Sequence, residues 1–562
     1  MTVNPEDLAD TAAPLDVLLI DAALGPRRRF TPDVSTAKAV VGLARHPRVT
    51  ARRAGSLAAD LGRIAAGTST LAPSKRDRRF ADPAWNDNPL LRRLVQAYLA
   101  TGQTAGQLVT DACLGWRDEQ RVRFLVDNLV EAFAPSNLPL VNPASAKAAV
   151  DTAGLNLVRG GVQLGRDLAS APRVPEMVDG SAFEVGRNIA VTPGAVVYRS
   201  EVLELIQYTP QTEQVRAVPL LVVPPTINKF YAIDLAPERS LVEFLVREGQ
   251  QVFVVSWRNP DARHAAWGFD AYVRAILDAL DAVERITGSA QTVLTGICSG
   301  GILASITAAY LAGIGRLDRL AAFGLCVTVL DNERAGAASA MSSRRTAAAA
   351  KAMSKRRGYL DGRALAEVFA WLRPGDLIWN YWVNNYLLGQ RPPAFDILFW
   401  NSDTTRMTAG LHADFVDLAL DNVLTKPGTL TVLGVPIDLG RVDVDTYVVA
   451  GVADHITPWQ NCYRSTQLLG GRNRFVLSTS GHIAALVNPP GNPRAAYQVS
   501  DDTPADPQVW LKAAEARTGT WWNDASAWLA ERCGGLTPAP ESLGGGGLRP
   551  LVDAPGTYVF DK

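Results

Sequence analysis

The hydrophobic positions from Asn88 to Phe133 recur at three- and four-residue steps. Within residues 119–133 this spacing places one apolar stripe along a helix. The stripe consists of Val122, Leu125, Val126, Leu129, Val130 and Phe133. Pro135 ends that helix, and we predict a helical domain over residues 76–185. Residues 1–75 are rich in alanine, arginine and threonine and show little periodicity, so we expect them to be poorly ordered.

From about residue 186 the pattern changes, and short apolar runs alternate with amphipathic helical segments. This alternation is typical of a largely parallel sheet joined by crossover helices. Strands are predicted at 215–223, 251–256, 292–295, 320–330, 445–450 and 474–477. Helices are predicted at 238–248, 269–285 and 299–312. We therefore assign residues 186–535 to an α/β catalytic domain and residues 536–562 to a C-terminal tail.

The alternation breaks between residues 331 and 440. This stretch contains a basic, alanine-rich segment and four tryptophans, Trp371, Trp379, Trp382 and Trp400. An insertion of this length between two strands is typical of a lid over an active site. Its tryptophans either pack the insertion onto the sheet or line an apolar channel.

Composition narrows the possible functions. The 56 basic and 56 acidic side chains balance, so the chain has no net charge that would attract nucleic acid or an anionic membrane. The five cysteines show neither a disulfide framework nor a metal-like spacing, so we expect free thiols and no metal. The acidic N-terminus lacks the features of a signal peptide, and no run approaches the ~20 apolar residues of a membrane span. We expect a cytoplasmic protein.

The strongest chemical signal is the sequence Gly296-Ile-Cys-Ser-Gly300, between an apolar strand and a helix of small residues. It is the G-x-S-x-G nucleophile elbow of the α/β-hydrolase fold, with Cys298 in the place of serine. The two glycines permit the strained turn. The backbone amide of Ser299 is a predicted oxyanion donor, and a second is expected after the preceding strand, at Ile227.

An elbow nucleophile requires an acid and then a histidine, in that order along the chain. Asp454 follows the strand at 445–450, and His482 follows the next one, 28 residues later. Only five histidines are present, so this requirement could easily have failed. We predict the triad Cys298, Asp454 and His482. His455 is a candidate supporting residue, since its position suits a loop hydrogen bond better than the role of base, and a direct role is the less favoured alternative.

These residues and the segments around them resemble the polyhydroxyalkanoate synthases of the single-subunit kind. The resemblance spans roughly residues 75–530. It rests on Asp82–Trp85, Asn88–Arg92, Pro224–Lys229, Ser256–Pro260, Ile378–Tyr386, Pro392–Asp396, Asp454–Trp459, Gly481-His482 and Asn488–Pro490.

The resemblance implies polymerisation of (R)-3-hydroxyacyl-coenzyme A into a polyester, with release of coenzyme A. The family's nucleophile, acid and base map onto Cys298, Asp454 and His482, and no cofactor is implied, because coenzyme A is part of the substrate. It also implies a homodimer and association with polyester granules. It allows Asp454 a direct part in chain growth, so that Asp454→Asn would impair elongation more than first acylation.

Three further residues are candidates for substrate contacts: Asn228, Lys229 and Arg258. The two cations could meet the phosphates of coenzyme A, although solvated surface charges are the alternative. Two other functions stay open from the residues. A cysteine hydrolase of the thioesterase or dienelactone hydrolase kind would use the same triad, and a scaffold protein would have lost its activity. Monomer chain length is left open as well.

Overall fold

A long mixed sheet forms the centre of the molecule. The computed structural model describes residues 15–25, 30–75, 77–169, 171–332 and 344–562. Its strands are β1 (Gly194–Arg199), β2 (Leu203–Tyr208), β3 (Gln214–Arg216), β4 (Leu220–Val223), β5 (Val252–Trp257), β6 (Thr292–Ile297), β7 (Leu320–Cys326), β8 (Tyr359–Leu360), β9 (Met407–Thr408), β10 (Thr431–Val432), β11 (Val435–Pro436), β12 (Thr446–Gly451), β13 (Asn473–Ser478), β14 (Ala496–Ser500), β15 (Glu515–Thr518), β16 (Leu536–Pro538) and β17 (Val552–Asp553).

Eleven of these strands form the sheet, in the order β15-β14-β13-β12-β7-β6-β4-β5-β2-β1-β17. The six from β13 to β5 in this order are parallel, and antiparallel strands extend both edges. All residues of β4, β5 and β12 are buried. Uninterrupted apolar strands of this kind are expected where helices cover both faces of a parallel sheet. The predicted α/β alternation is confirmed.

Helices cover the sheet and form the rest of the molecule. They are α1 (Leu15–Leu24), α2 (Val34–Arg45), α3 (Pro47–Ala66), α4 (Ala84–Asp87), α5 (Pro89–Asp111), α6 (Trp116–Ala132), α7 (Pro143–Asp151), α8 (Leu155–Ala169), α9 (Leu241–Arg247), α10 (Phe269–Thr287), α11 (Ser299–Gly313), α12 (Arg344–Arg357), α13 (Gly362–Leu372), α14 (Asp396–Ser402), α15 (Ala409–Asp421), α16 (Trp459–Ser465), α17 (His482–Leu486), α18 (Pro507–Ala513) and α19 (Trp521–Arg532). No helix in the described ranges is long and apolar enough to cross a membrane.

The expectation of poor order over residues 1–75 was wrong for most of the segment. Helices α2 and α3 pack against α5 and α6, around a small core that includes Ala39 and Val122. The Asp33 side chain caps α2 by accepting hydrogen bonds from the amides of Ser35 and Thr36. Alanine and arginine are strong helix formers, and this signal from composition was not used when order was judged by apolar periodicity. Residues 1–14 and 26–29 lie outside the described residues.

Helix α1 lies apart from the other N-terminal helices, among the lid helices α12, α13 and α15. Leu19 and Ile20 are fully buried there. The buried His412 of α15 joins these elements, since its Nδ1 lies 2.7 Å from the Ser354 hydroxyl and its Nε2 lies 3.3 Å from the Leu19 carbonyl. Of the insertion predicted at 331–440, residues 333–343 lie outside the described residues.

The C-terminal residues are part of the fold, and the prediction of a tail over 536–562 was wrong. Strand β16 pairs with β3, and β17 pairs with β1 at the sheet edge. Beyond β17, the buried Glu204 accepts hydrogen bonds from the amides of Thr557 and Tyr558. Strands of two or three residues are too short to show a period, which is why the pattern did not reveal them.

Candidate active site

Cys298 occupies the turn between β6 and α11. Its φ is 51° and its ψ is −121°, a conformation that costs a non-glycine residue free energy and is found mainly at functional sites. The glycines on either side fix this turn. A Cβ at Gly296 would overlap the Gly301 backbone, and one at Gly300 would overlap the carbonyl oxygens of Val223 and Pro224. The turn therefore presents the thiol above the carboxyl edge of the sheet.

Asp454 and His482 follow neighbouring parallel strands, β12 and β13. The carboxyl ends of parallel strands meet at one edge, so residues far apart in the sequence converge on Cys298. The loops approach closely, and a Cβ at Gly451 would overlap the Ser480 carbonyl oxygen. His482 Nδ1 lies 2.7 Å from Asp454 Oδ2. Cys298 lies close enough to the imidazole of His482 to contribute to the raised pKa of that ring. Since Nδ1 faces Asp454, Nε2 is the nitrogen available to the thiol.

The Asp454 carboxylate is buried and fully engaged. Oδ1 accepts hydrogen bonds from the amides of Ile456 (2.8 Å) and Thr457 (2.9 Å). Oδ2 accepts one from the Thr457 hydroxyl (2.6 Å) and faces His482. The Thr457 oxygen also lies 3.1 Å from His482 Nδ1. Thr457 was not singled out by the sequence, although a hydroxyl three residues after a loop aspartate is a recurrent turn pattern.

Electrostatics favour an ionic Asp454–His482 pair. Burial alone would raise the pKa of Asp454, but the charge of His482 and the hydrogen bonds from Thr457 lower it below its usual value. Burial would also lower the pKa of His482, but the charge and hydrogen bond of Asp454, together with Cys298, raise it to about 10. His482 is thus able to take and hold the proton of the thiol.

The three buried cysteines differ from Cys298 in their surroundings. Burial raises the pKa of Cys326 and of Cys533 to about 12, and it also raises the pKa of Cys462 well above its usual value. Such thiols are poor nucleophiles. Cys298 is partly accessible and lies beside a histidine.

The two predicted oxyanion donors, Ser299 and Ile227, lie in the turns that follow β6 and β4. The amide of Ser299 is at the N-terminus of α11. The Ser299 hydroxyl accepts a hydrogen bond from the amide of Thr226 (3.0 Å), which ties the loop after β4 to the elbow. The Thr226 amide is thereby occupied, and Ile227 and Asn228 line the cavity in front of Cys298. Ile227 stays the candidate for the second donor.

A cavity of about 300 Å³ opens in front of the thiol. Cys298, His482, Ile227 and Asn228 line it together with further residues that follow β4, β12 and β13, and the lid supplies part of its wall. The lid residues are mostly apolar: Phe369, Arg373, Leu377, Ile397, Leu398, Trp400 and Asn401. The sequence had identified only Trp400 among them.

The lid tryptophans divide between the two roles expected of them. Trp400 lines the cavity and donates a hydrogen bond from its Nε1 to the Lys229 carbonyl (2.8 Å). Trp371, Trp379 and Trp382 instead form a series of edge-to-face contacts, with centroids 6.4 and 5.7 Å apart. These three are packing residues.

Lys229 and Arg258 do not lie where a contact with coenzyme A was expected. The buried Lys229 ammonium donates hydrogen bonds to the carbonyls of Tyr558 (3.2 Å) and Asp561 (2.8 Å). Burial lowers the pKa of Lys229 to about 8, against the opposing charges of Asp403 and Asp561. Arg258 binds the Glu201 carbonyl and the Tyr558 hydroxyl. Both cations hold the C-terminal residues, whose position the sequence pattern did not indicate.

His455 lies beside the triad and lines the cavity. Burial lowers its pKa to about 4, so the ring is neutral at neutral pH. Its Nδ1 is buried and has no hydrogen-bond partner among the residues that the structure describes, so the loop hydrogen bond expected of this ring is not made through that atom. In the same ranges, no cluster of three or more His, Cys, Asp or Glu side chains is arranged to hold a metal ion.

Two families match the chain. The one described as "Poly-beta-hydroxybutyrate polymerase (PhaC) N-terminus" matches residues 76–245, and "alpha/beta hydrolase fold" matches residues 219–489. The second match agrees with the predicted fold class.

The similar proteins include two from Ectopseudomonas oleovorans. "Poly(3-hydroxyalkanoate) polymerase 1" is 45% identical over 563 aligned residues and is covered over the full length of both chains. "Poly(3-hydroxyalkanoate) polymerase 2" is 47% identical, with 92% of each chain covered. "Poly(3-hydroxyalkanoate) polymerase subunit PhaC" of Cupriavidus necator is 39% identical, over 89% of this chain and 85% of that protein.

The solved structures that resemble the chain are more distant. A hydrolase from Pseudomonas aeruginosa is 15% identical with a TM-score of 0.34, and it covers 52% of this chain and 92% of its own. A monoglyceride lipase variant from Saccharomyces cerevisiae is 12% identical with a TM-score of 0.35, and it covers 62% of this chain and 97% of its own.

Proposed function

Because the chain belongs to the poly(3-hydroxyalkanoate) polymerase family and is an acyltransferase, we propose that it builds the polyester through a thioester on Cys298. The substrate is an (R)-3-hydroxyacyl-coenzyme A. The observation that carries this proposal is the Cys298–His482–Asp454 arrangement at the floor of an apolar cavity.

In acylation His482 Nε2 holds the proton of the Cys298 thiol, so the sulfur attacks as a thiolate. The sulfur attacks the thioester carbonyl, and the amides of Ser299 and Ile227 stabilise the oxyanion. The C–S bond to coenzyme A then breaks, and the departing thiolate takes the proton from His482. One thioester replaces another, so the acyl group keeps its activation for the next transfer. No cofactor takes part, since coenzyme A enters with the substrate and leaves as a product.

Chain growth uses the same base. The 3-hydroxyl of an incoming unit gives its proton to His482, and its oxygen attacks the acyl-Cys298 carbonyl. An ester bond forms and the C–S bond to Cys298 breaks, leaving the Cys298 thiolate beside the protonated His482. The extended chain is now the thioester of the incoming unit's coenzyme A. It returns to Cys298 by the acylation step described above, which releases that coenzyme A. The apolar lid wall favours the acyl chain over water in the cavity. This preference separates a polymerase from a hydrolase with the same triad.

The hydrogen bonds of Asp454 support an indirect role for this carboxylate. Both oxygens are occupied, by backbone amides, the Thr457 hydroxyl and His482. Such a group orients the imidazole and stabilises its cation. We therefore revise the expectation that Asp454 acts directly in elongation. Asp454→Asn is expected to reduce first acylation and steady-state coenzyme A release by the same factor. A much larger loss in release would contradict the indirect role.

Incubation with 3-hydroxybutyryl- and 3-hydroxyoctanoyl-coenzyme A tests the proposed activity. We expect polymer and free coenzyme A from at least one of them, and neither product from Cys298→Ala. Free 3-hydroxy acid without polymer would instead support the hydrolase, and no reaction with either substrate would contradict both enzymatic functions. The ratio of the two rates gives the preference for chain length.

We also propose that the enzyme works in the cytoplasm at the surface of polyester granules, as a homodimer. A growing chain held on Cys298 attaches the protein to its own insoluble product. Co-sedimentation with newly made polymer tests the first point, and sedimentation equilibrium without substrate tests the second.

A further inference from the structure

Helix α8 turns its polar and small residues toward the protein. Asn156, Gly160, Gln163 and Asp167 recur at four-, three- and four-residue steps and share one face, the inner face. All four contact residues 386–390 of the lid. A helix on a protein surface normally buries its apolar side, so this orientation is the reverse of the usual one.

The inner face is held by specific contacts. Asn156 Nδ2 donates a hydrogen bond to the Leu387 carbonyl (2.7 Å), and the Tyr386 hydroxyl donates one to Asp167 Oδ2 (2.5 Å). A Cβ at Gly160 would overlap the carbonyl oxygen of Tyr386, so the two backbones touch there. These contacts fix the rotation of α8 about its axis.

The opposite face of α8 is apolar and open to solvent. Leu155, Val158 and Val162 lie on it at three- and four-residue steps, and we name these three residues the outer stripe. Their side chains are 53%, 63% and 52% exposed. Single exposed apolar residues are ordinary on a protein surface, but a continuous row on a rigid helix marks an interaction site. None of the described residues covers this row.

The position of the outer stripe connects it to the product. Residues 386–390, which α8 contacts, lie along the sequence between two residues of the cavity wall, Leu377 and Ile397. The helix is thus anchored to the lid beneath which the chain grows. Two exposed arginines, Arg159 and Arg166, flank the outer stripe, and no acidic residue lies beside it on α8. Guanidinium groups donate hydrogen bonds, and ester carbonyls accept them.

A second copy of the chain fits the outer stripe less well than polyester does. A stable dimer buries about 800 Å² on each partner. Three half-exposed aliphatic side chains supply far less than this area. A polymer surface needs no complementary patch on a second protein, and each particle offers many equivalent places for this small apolar contact.

We propose that the outer stripe is the surface by which the enzyme binds its polyester. The proposal rests on the proposed function, since polyester is the occupant only if this chain makes or meets it. Binding through α8 places the lid, and the cavity behind it, against the polymer.

Binding to protein-free poly(3-hydroxyoctanoate) and poly(3-hydroxybutyrate) nanoparticles tests the proposal without any catalytic step. The test variant is Leu155→Ser/Val158→Ser/Val162→Ser. The matched control is Val34→Ser/Val40→Ser/Val41→Ser, which changes three valines of α2 that are 71%, 63% and 48% exposed. Thermal unfolding shows whether each variant is folded.

The outer-stripe variant is expected to bind the particles at least about tenfold more weakly than the unchanged protein, at low and at high salt, because apolar burial drives the contact. The control variant is expected to bind within about twofold. Equal loss in both variants, or no loss in either, would overturn the proposal. So would a lower sedimentation mass with unchanged particle binding, which would make the stripe a dimer contact. Salt-sensitive binding to phosphatidylglycerol vesicles in preference to polyester would also overturn it. Failure of polymer synthesis in a separate assay would affect only the proposed function.

Discussion

Thr457 shows how a single hydroxyl can hold a catalytic pair in place. It donates a hydrogen bond to Asp454 Oδ2, its amide donates another to Oδ1, and its oxygen lies beside His482 Nδ1. With Oδ1 taken by amides, the carboxylate cannot rotate, and Oδ2 points at the imidazole. Thr457 is therefore a positioning residue that acts through Asp454 and His482.

Thr457→Val is expected to lower kcat/KM for coenzyme A release by about tenfold, because one hydrogen bond to a buried carboxylate is lost at nearly constant volume. Thr457→Ser keeps the hydroxyl and is expected to restore most of the activity. Thiol detection with 3-hydroxyacyl-coenzyme A measures both variants. If the valine and serine variants were equally active, the hydroxyl would have no positioning role.

At the scale of elements, the contact between α8 and the lid depends on the absence of a side chain. Two adjacent glycines of α8 provide a matched pair. A Cβ at Gly160 would overlap the Tyr386 carbonyl oxygen, whereas a Cβ at Gly161 would meet no atom within 4 Å.

Gly160→Ala is expected to destabilise the protein by about 2 kcal/mol or more, because the helix must move away from the lid. Gly161→Ala is expected to stabilise it by up to about 1 kcal/mol through helix propensity. Chemical denaturation of the two variants measures the difference. Equal stabilities would show that α8 does not pack tightly on residues 386–390.

The packing of α1 among the lid helices is expected to depend on pH through His412. Burial lowers the pKa of His412 to about 4, against an unfolded value near 6.5. The unfolded chain therefore binds this proton first, and stability is highest above pH 6.5. It falls between pH 6.5 and 4, by up to about 3 kcal/mol.

Urea unfolding of the full chain and of His412→Gln over this pH range isolates the effect. The free energy of unfolding of the unchanged protein is expected to fall more steeply with decreasing pH than that of the variant. Parallel curves would mean that His412 is not held neutral between Ser354 and Leu19.

At the scale of the whole molecule, local signals were sufficient to predict that Cys298, Asp454 and His482 converge. The elbow needs glycines at fixed offsets, and the acid and the histidine must follow strands in a set order. The structure brings these three side chains together. Helix α10 could also be predicted from the sequence, because it buries a regular apolar stripe against the sheet.

The long-range contacts could not be read in this way. Lys229 resembled a ligand-binding cation, yet its partners are the carbonyls of Tyr558 and Asp561, more than 300 residues away. The cavity wall likewise combines the loop after β4 with two separate parts of the lid. The local spacing of apolar residues carries no information about such long-range contacts. Helix α2 was missed for another reason, since its buried positions are Ser35 and Ala39 while Val34, Val40 and Val41 are exposed.

The central claim is that the polyester grows from a thioester on Cys298, and a stalled acyl-enzyme tests it most directly. Octanoyl-coenzyme A can load the cysteine but lacks the 3-hydroxyl needed for extension. After brief mixing, intact-mass measurement is expected to show one octanoyl group per active chain, released by hydroxylamine and mapped to the peptide containing Cys298. Cys298→Ala is expected to show none. An octanoyl group on another residue, or polymer formation by Cys298→Ala from a 3-hydroxyacyl substrate, would contradict the mechanism.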